Sequence, residues 1–367
     1  MIKLPSIEVI FKQKATSLIK RSARGIAILI VKDDTVKDDP DKSFSYKEYK
    51  NITAAEAEKD NYTAENMQYI RDVFGFTLNK VCIVRIDAVG GTVADALVTL
   101  ERNIKTGWVT IAGGTPEDFT TLSSWAKTKE TERKSYKSVC YKATAPDCKH
   151  IVNFYNDKVI FADKRGEVTG EKYCPSLLGI LASSNVMKSV TNFHCANLVR
   201  VLEVVDSEKA VGEGKFVLLN DVDKVRIALG NNSMTTTDGL NATEDMKFID
   251  IVEVMDLIND DISDVFKNEY LGKYKNIYNN QVLFISAINT YFKELARDYI
   301  LDPNYTNKAD VDADTQRLAW VGTGKAEAED WDDQTVKNNA FKRTVYLLGD
   351  IKISGAMENL KFVVNLA

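Results

Sequence analysis

The run Lys342–Leu366, KRTVYLLGDIKISGAMENLKFVVNL, carries two strand patterns around a short loop. In the first, Val345, Leu347, Ile351 and Ile353 share one face. In the second, Leu360, Phe362, Val364 and Leu366 alternate with Lys361, Val363 and Asn365. Period-two alternation is the mark of a half-buried strand. The two runs either form a hairpin across the loop Ser354–Asn359, or the second leaves the first. The other end of the chain reads alike. In LPSIEVIFK (Leu4–Lys12), Ile7, Val9 and Phe11 face one way, and Glu8, Ile10 and Lys12 the other. Chain ends are usually polar and frayed unless something ties them down. An unpaired apolar strand in water is a liability that proteins cover or charge. These ends pair with each other, pair with their own sheet, pack loosely, or complete a sheet in another copy. The basic linker KATSLIKRSARG (Lys14–Gly25) gives the first strand reach, at roughly 3.3 Å per extended residue. Burying three or four apolar side chains per end contributes on the order of 5–10 kcal/mol before ordering costs.

The 367 residues suit two domains. A content of 44% hydrophobic and 28% charged residues is that of an ordinary soluble chain. The net charge of −5 argues against a dedicated nucleic-acid binder, which carries a basic footprint. The longest purely apolar run, Ile26–Val31, is far too short to span a bilayer. No charged segment leads into an apolar stretch and a cleavage site, so no signal peptide is expected. Five cysteines without a CxxC pair fit a reducing compartment, a cytoplasm. Charge is uneven: residues 1–24 hold six Lys/Arg and one acid, and residues 306–335 hold eight Asp/Glu and three Lys/Arg. These are solvated stretches, or segments of opposite sign that attract between copies.

GIAILIVKD (Gly25–Asp33) reads as a strand buried on both faces. Residues 33–61 are polar, a loop with a short helix. From Tyr62 to about Gly230 helices and strands alternate: AENMQYIRDVFG, VCIVRI, VADALVTLERN, GWVTIAG, PEDFTTLSSWAK and SYKSVCYKA. A hairpin at Ile151–Asp163, a helix near Ser176–Ser184, and strands at Val199–Val205, Lys215–Leu219 and Val225–Ala228 follow. Such alternation predicts α/β layers. The last third holds two long helices. One has an apolar stripe at Phe248, Ile251, Met255, Ile258, Ile262 and Val265, the other at Ile285, Ile288, Phe292, Leu295 and Tyr299. Each stripe should face a core. After Pro303 comes an acidic, irregular stretch.

Candidate chemistry is sparse. IDAVGGTVADAL and IAGGTPEDF are each strand, Gly-Gly-Thr, helix. Thr92 and Thr115 can cap the helices, Pro116 suits a first turn, and Thr115 with Asp118 has capping-box spacing. A phosphate at such a helix start is the sharper reading, although neither segment is GxGxxG or a Walker loop. Cys148 with His150, and His194 with Cys195, lack the paired spacing of structural zinc sites. There is no GxSxG elbow. Asp310, Asp312 and Asp314 open like a calcium loop, but Thr315 replaces the Gly and Val321 the final Glu, so a solvated acidic loop is expected. The tyrosines of NEYLGKYKNIYNN (Asn268–Asn280) belong to a core or an interface, since the chain is net acidic. No cofactor and no metal are expected.

Three stretches together resemble the contractile tail sheath proteins of phages and phage-tail-like bacteriocins. They are Leu4–Asp33, LGKYKNIYNNQVLFISAINTYFKELARDYIL (Leu271–Leu301) and Lys342–Leu366. They cover roughly a quarter of the chain, which looks like a near-minimal member. The resemblance implies a mixed fold, α/β (α+β overall), in two domains. Residues 1–24 and 240–367 would form a tube-facing core assembly domain of sheet plus two long helices with strand arms. Residues 25–239 would form an outer α/β domain. It implies a structural, non-enzymatic subunit polymerising as hexameric rings around an inner tube and contracting to drive that tube into a target cell. The arms would be Ile7, Val9 and Phe11 at one end and Leu360, Phe362, Val364 and Leu366 at the other. The host strand would be Val345, Leu347, Ile351 and Ile353. Candidate tube contacts are Lys273, Lys275, Lys293, Asp310, Asp312 and Asp314. The partners would be other copies, the inner tube protein, baseplate and tail terminator proteins, with no nucleic acid and no membrane insertion. The setting would be a virion or tail-like particle assembled in a bacterial cytoplasm. The rival is a cytoplasmic α/β enzyme holding a phosphate-bearing ligand at the Gly-Gly-Thr turns.

Overall fold

The computed structural model describes residues 18–184 and 186–364. The described residues divide into two compact units: residues 22–184 and 186–257 with 355–364, and residues 18–21 with 258–354.

The first unit is built on a seven-stranded sheet. Its strands are β1 (Ile26–Lys32), β2 (Tyr46–Tyr49), β3 (Lys80–Ile86), β4 (Gly107–Ile111), β5 (Tyr136–Tyr141), β6 (Ile151–Phe154) and a two-residue strand at Lys215–Phe216. Their spatial order is Lys215–Phe216, β6, β5, β4, β1, β3, β2. All neighbours are parallel except β2, which closes one edge antiparallel to β3. Ala27 to Val31 are fully buried, as a continuous apolar run demands of a parallel strand covered on both faces. Crossovers run through helices α1 (Ala64–Val73), α2 (Val93–Asn103), α3 (Pro116–Thr131) and α4 (Cys174–Ser183). Thr63, Thr92 and Thr115 cap the first three, and Thr115 and Asp118 close a full capping box.

The expected hairpin at Ile151–Asp163 does not form. β6 stays in the large sheet, whereas Lys158–Phe161 pairs with Glu167–Thr169 and Leu198–Val201 in a separate three-stranded sheet. Buried Asn156 stands where the chain changes sheet. Its amide donates to the Leu202 and Leu218 carbonyls and accepts from the Leu218 N–H. β2 lies inside the segment read as loop. Its sequence, YKEY, is too short and too charged for a periodicity signal.

Helix α5 (Ile249–Val265) carries the division between the units. Its apolar stripe, Phe248 to Val265, is only half-buried; Val252, Glu253, Asp256 and Leu257 lie deeper. The carboxylates tolerate burial because each is paired. Lys137 of β5, 3% exposed at its side chain, places Nζ 2.7 Å from Asp256 and 3.2 Å from Glu253. The Trp108 indole donates to Glu253 at 2.7 Å. His150 Nε2 lies 3.0 Å from Asp256, and its Nδ1 lies 3.3 Å from Glu130. Burial works against charge at Lys137 and His150, but the surrounding carboxylates outweigh it, so both are held above their ordinary values. These bonds explain why residues 240–257 pack with the α/β unit, where the sequence had assigned them to the assembly domain.

The second unit contains a π-turn at Phe266–Tyr270, helix α6 (Tyr278–Arg297), β7 (Lys308–Val311), short helices at Ala313–Val321 and Asp333–Asn338, and β8 (Leu347–Asp350). On α6, Ile285, Ile288, Phe292 and Leu295 are buried as the period predicts. Tyr299 is not. The helix ends at Arg297, and Tyr299 turns outward at φ 60°, 72% exposed. Tyr291 reaches back to buried Asp261 at 2.7 Å. The acidic stretch is ordered, not irregular: it holds β7 and both short helices.

Candidate assembly interface

β8 pairs antiparallel with β7, Lys308 opposite Asp350 through Val311 opposite Leu347. The Tyr346 carbonyl accepts from Asp312, the Lys352 carbonyl accepts from Asp302, and Ser354 donates to Ile300. All three bonds lie on one edge of the Val345–Ser354 run. The alternate backbone groups, at Leu347, Gly349, Ile351 and Ile353, point to the other edge. That edge meets no strand among the described residues. The outer edge of β7 is closed differently: Asn289 of α6 bonds both the N–H and the carbonyl of Ala309. Among the described residues the small sheet therefore keeps one edge with no strand beside it. Val345, Leu347, Ile351 and Ile353 are half-buried along it, and Leu348 is exposed. The regular strand is shorter than the sequence suggested, four residues within Val345–Ile353.

After Ser354 the chain belongs to the other unit and takes no regular structure through Val364. Leu360, Phe362 and Val364 are 91%, 79% and 62% exposed. The tail is held at its root. Glu358 Oε1 accepts from the Ser189 hydroxyl at 2.8 Å and the Thr191 hydroxyl at 2.6 Å. Those hydroxyls accept in turn from the Thr191 and Gly230 N–H groups. Ile7, Val9, Phe11 and Leu366 lie outside the described residues.

The candidate tube contacts do not gather into one patch. Lys273 and Lys275 sit exposed before α6, and Lys293 is exposed near its far end. Fifteen residues of helix separate Lys293 from Tyr278, about 22 Å at 1.5 Å per residue. The three aspartates each have a private task. Asp310 pairs with Lys337 at 2.6 Å, Asp312 caps a helix through Thr315 N–H, and Asp314 pairs with Arg317 at 2.6 Å. No shared cation pocket results. Among the described residues no group of His, Cys, Asp or Glu is arranged to hold a metal ion. All five cysteines are buried, and Cys148 donates to Glu130. Among the described residues no helix is long and apolar enough to cross a membrane.

The Gly-Gly-Thr turns are plain caps. Asp95 and Asp118 occupy the helix starts where an anion would sit. Lys32 is taken by Asp118 at 2.8 Å and Lys37 by Asp87 at 2.7 Å. The glycines serve close packing. A Cβ at Gly91 would meet the Asp87 carbonyl at 2.4 Å, and one at Gly114 would meet Ile111 at 2.5 Å.

Two sequence likenesses bear on an open edge and a loose apolar tail in one chain. Residues 241–367 match the phage tail sheath C-terminal domain. The tail sheath protein of Clostridium phage phiCD119 is 29% identical over 379 residues, covering 100% of both chains. In sequence the chain is similar to the tail sheath proteins. Solved structures agree on the fold. The sheath tail protein of Desulfitobacterium hafniense superposes with a TM-score of 0.67 at 14% identity, over 84% of this chain and 94% of that one. The helical sheath of the anti-feeding prophage, in its contracted state, gives 0.69 at 10% identity, over 100% and 99%. A chain in the six-fold symmetrised baseplate of that prophage also gives 0.69, at 10% identity over 100% of both chains. The mixed α/β fold is thus the sheath fold, and the likenesses are to a structural family rather than an enzyme.

Sequence reasoning missed the Lys137 network and the Glu358 clamp. Both join residues more than a hundred positions apart, and no local pattern announces them.

Proposed function

We propose that the chain is the structural subunit of a contractile tail sheath in a phage or phage-tail-like particle. Copies polymerise as hexameric rings around an inner tube. The arms Ile7–Phe11 and Leu360–Leu366 each add to the open β8 edge region of neighbouring copies. Residues 258–354 form the body of the assembly domain, to which the terminal arms add, and the α/β unit up to residue 257 is the outer domain. The flanking linkers bend while the domains move as rigid bodies, and contraction drives the tube into a target cell. The partners are other copies, baseplate, tube and terminator proteins, with lysines 273, 275 and 293 and aspartates 310, 312 and 314 as candidate tube contacts. The observation that carries this reading is the presence, in one chain, of a strand edge that no described strand occupies and of an alternating apolar tail whose Leu360, Phe362 and Val364 stand in solvent. An edge alone is a hazard, and a tail alone is unexplained; each supplies what the other lacks.

Electron microscopy of the purified chain at rising concentration tests it. Tubes or stacked rings with six-fold end views are expected. Small discrete particles at every concentration overturn the reading. Phe362→Asp should stop polymerisation, because it places a charge on the face that becomes buried. Deleting residues 1–12 should leave a folded chain that no longer polymerises; an unfolded product would return that strand to its own core.

A further inference from the structure

A pocket of about 100 Å³ opens at the start of the host edge, walled by Phe266, Tyr270 and Phe284. The Tyr270 and Phe284 rings lie 4.6 Å apart. The pocket continues into the edge, for Val345, the first residue of the host run, lines it. Lys275 and Arg343 line it and are exposed, as is Leu271 at 60%, so it is open to solvent. The π-turn Phe266–Tyr270 supplies two of the walls, and such turns recur at functional sites.

The pocket also holds an unmet acceptor. Gln281 lines it and is 3% exposed, and its Oε1 has no partner among the described residues. The amide orientation is fixed by its neighbour. Asn276 Nδ2 faces the Phe341, Lys342 and Thr344 carbonyls, so Asn276 Oδ1 must accept, and it does so from Gln281 Nε2 at 2.7 Å. A buried acceptor left unmet in the free subunit calls for an incoming donor.

We infer that this pocket receives the Phe362 side chain of a neighbouring copy, with Gln281 Oε1 accepting a backbone N–H of the same arriving segment. The inference rests on the proposed strand addition and names where it is anchored. Phe362 is the one aromatic on the exposed tail. A cavity of ~150 Å³ admits benzene, and a pocket open on one side holds a phenyl ring without enclosing it. Aromatic walls favour a ring over the flanking leucine and valines.

The test uses the full chain. A benzophenone amino acid at position 362 is doped as a minor fraction into wild-type subunits, the polymers are irradiated, and crosslinked peptides are mapped by mass spectrometry. Crosslinks to residues 266–284 of another copy are expected. Inter-copy crosslinks elsewhere overturn the pocket and leave strand addition standing. Crosslinks to the pocket from position 11 but not 362 assign it to the N-terminal arm instead. Absence of inter-copy crosslinks in good polymers, or no polymers at all, removes strand addition and this inference together. Independently, Phe362→Ala should raise the critical concentration for polymerisation by ~10–100-fold. An unchanged critical concentration refutes the pocket.

Discussion

Replacing Lys137 by Met should unfold the α/β unit more readily than any surface change. The side chain is 3% exposed and sits between two carboxylates, 2.7 Å from Asp256 and 3.2 Å from Glu253. Met has a similar length and fits the space, so packing changes little. What changes is charge. Asp256 keeps His150 at 3.0 Å and Glu253 keeps the Trp108 N–H at 2.7 Å, but both lose the cation they share. Removing one partner of a buried ion pair costs ~3–5 kcal/mol, because the remaining charge is left without compensation. The residual partners set the expectation at the lower end, ~3 kcal/mol. With a slope near ~3 kcal/mol per molar urea, the midpoint should fall by about 1 M. Adding Glu253→Gln and Asp256→Asn to Lys137→Met should recover most of the loss, since replacing all charged members is often close to neutral. Urea unfolding followed by far-ultraviolet circular dichroism reads both. A shift below ~0.3 M for the single variant, or no recovery in the triple, would show that the three groups are not a coupled buried set.

Three further outcomes follow. His150 is held above its ordinary value: burial pushes the imidazole down, but the charge of Asp256 and the bonds to Asp256 and Glu130 outweigh it. Its contribution is therefore complete below about pH 6.5 and is lost as pH rises through the raised folded value. His150→Gln should be less stable than wild type at pH 6 and should flatten the decline above pH 6.5; parallel pH–stability curves would contradict this. Glu358→Ala removes the acceptor of the Ser189 and Thr191 hydroxyls. Amide exchange and proteolysis at Met357–Lys361 should accelerate, with the unfolding midpoint unchanged; equal exchange rates would mean the tail root is not held there. Thr115→Ala breaks the capping box and should cost about 1 kcal/mol in urea unfolding, and a loss below a few tenths would contradict the cap.

The sheet was legible because its strands are buried on both faces. IAILIV and VCIV are continuous apolar runs at the heart of their strands. The helix starts at Thr92 and Thr115 were legible because a cap is a local bond. Burial by pairing was not legible. On α5 the apolar period selects Ile251 and Met255, while the deepest positions include Glu253 and Asp256. Sequence order does not say that Lys137 will stand opposite them. The hairpin failed because two adjacent strand patterns carry no information about which sheet each joins, and that choice was made by Asn156. At the candidate interface, the alternation of Leu360, Phe362 and Val364 was readable. That the chain's own fold would leave these side chains in solvent was not, because exposure is decided by what the rest of the chain covers.

Folding and assembly draw on different residues here. The large core cluster runs from Ala27 to Ile249 and contains no residue of the tail. The β8 run makes its fold-facing bonds through Tyr346, Lys352 and Ser354, so an arriving strand meets groups that folding did not need. A substitution at Phe362 should accordingly act on assembly alone. Phe362→Asp removes 79%-exposed apolar surface from the free subunit, and surface changes of that kind leave stability within about 0.5 kcal/mol. The same aspartate in an added strand would be a buried charge without a partner, which a polymer contact cannot absorb. Thermal unfolding of the unassembled variant should match wild type while its polymers are absent. If the variant melts early, the tail contributes to its own subunit's core, and strand addition between copies loses its donor.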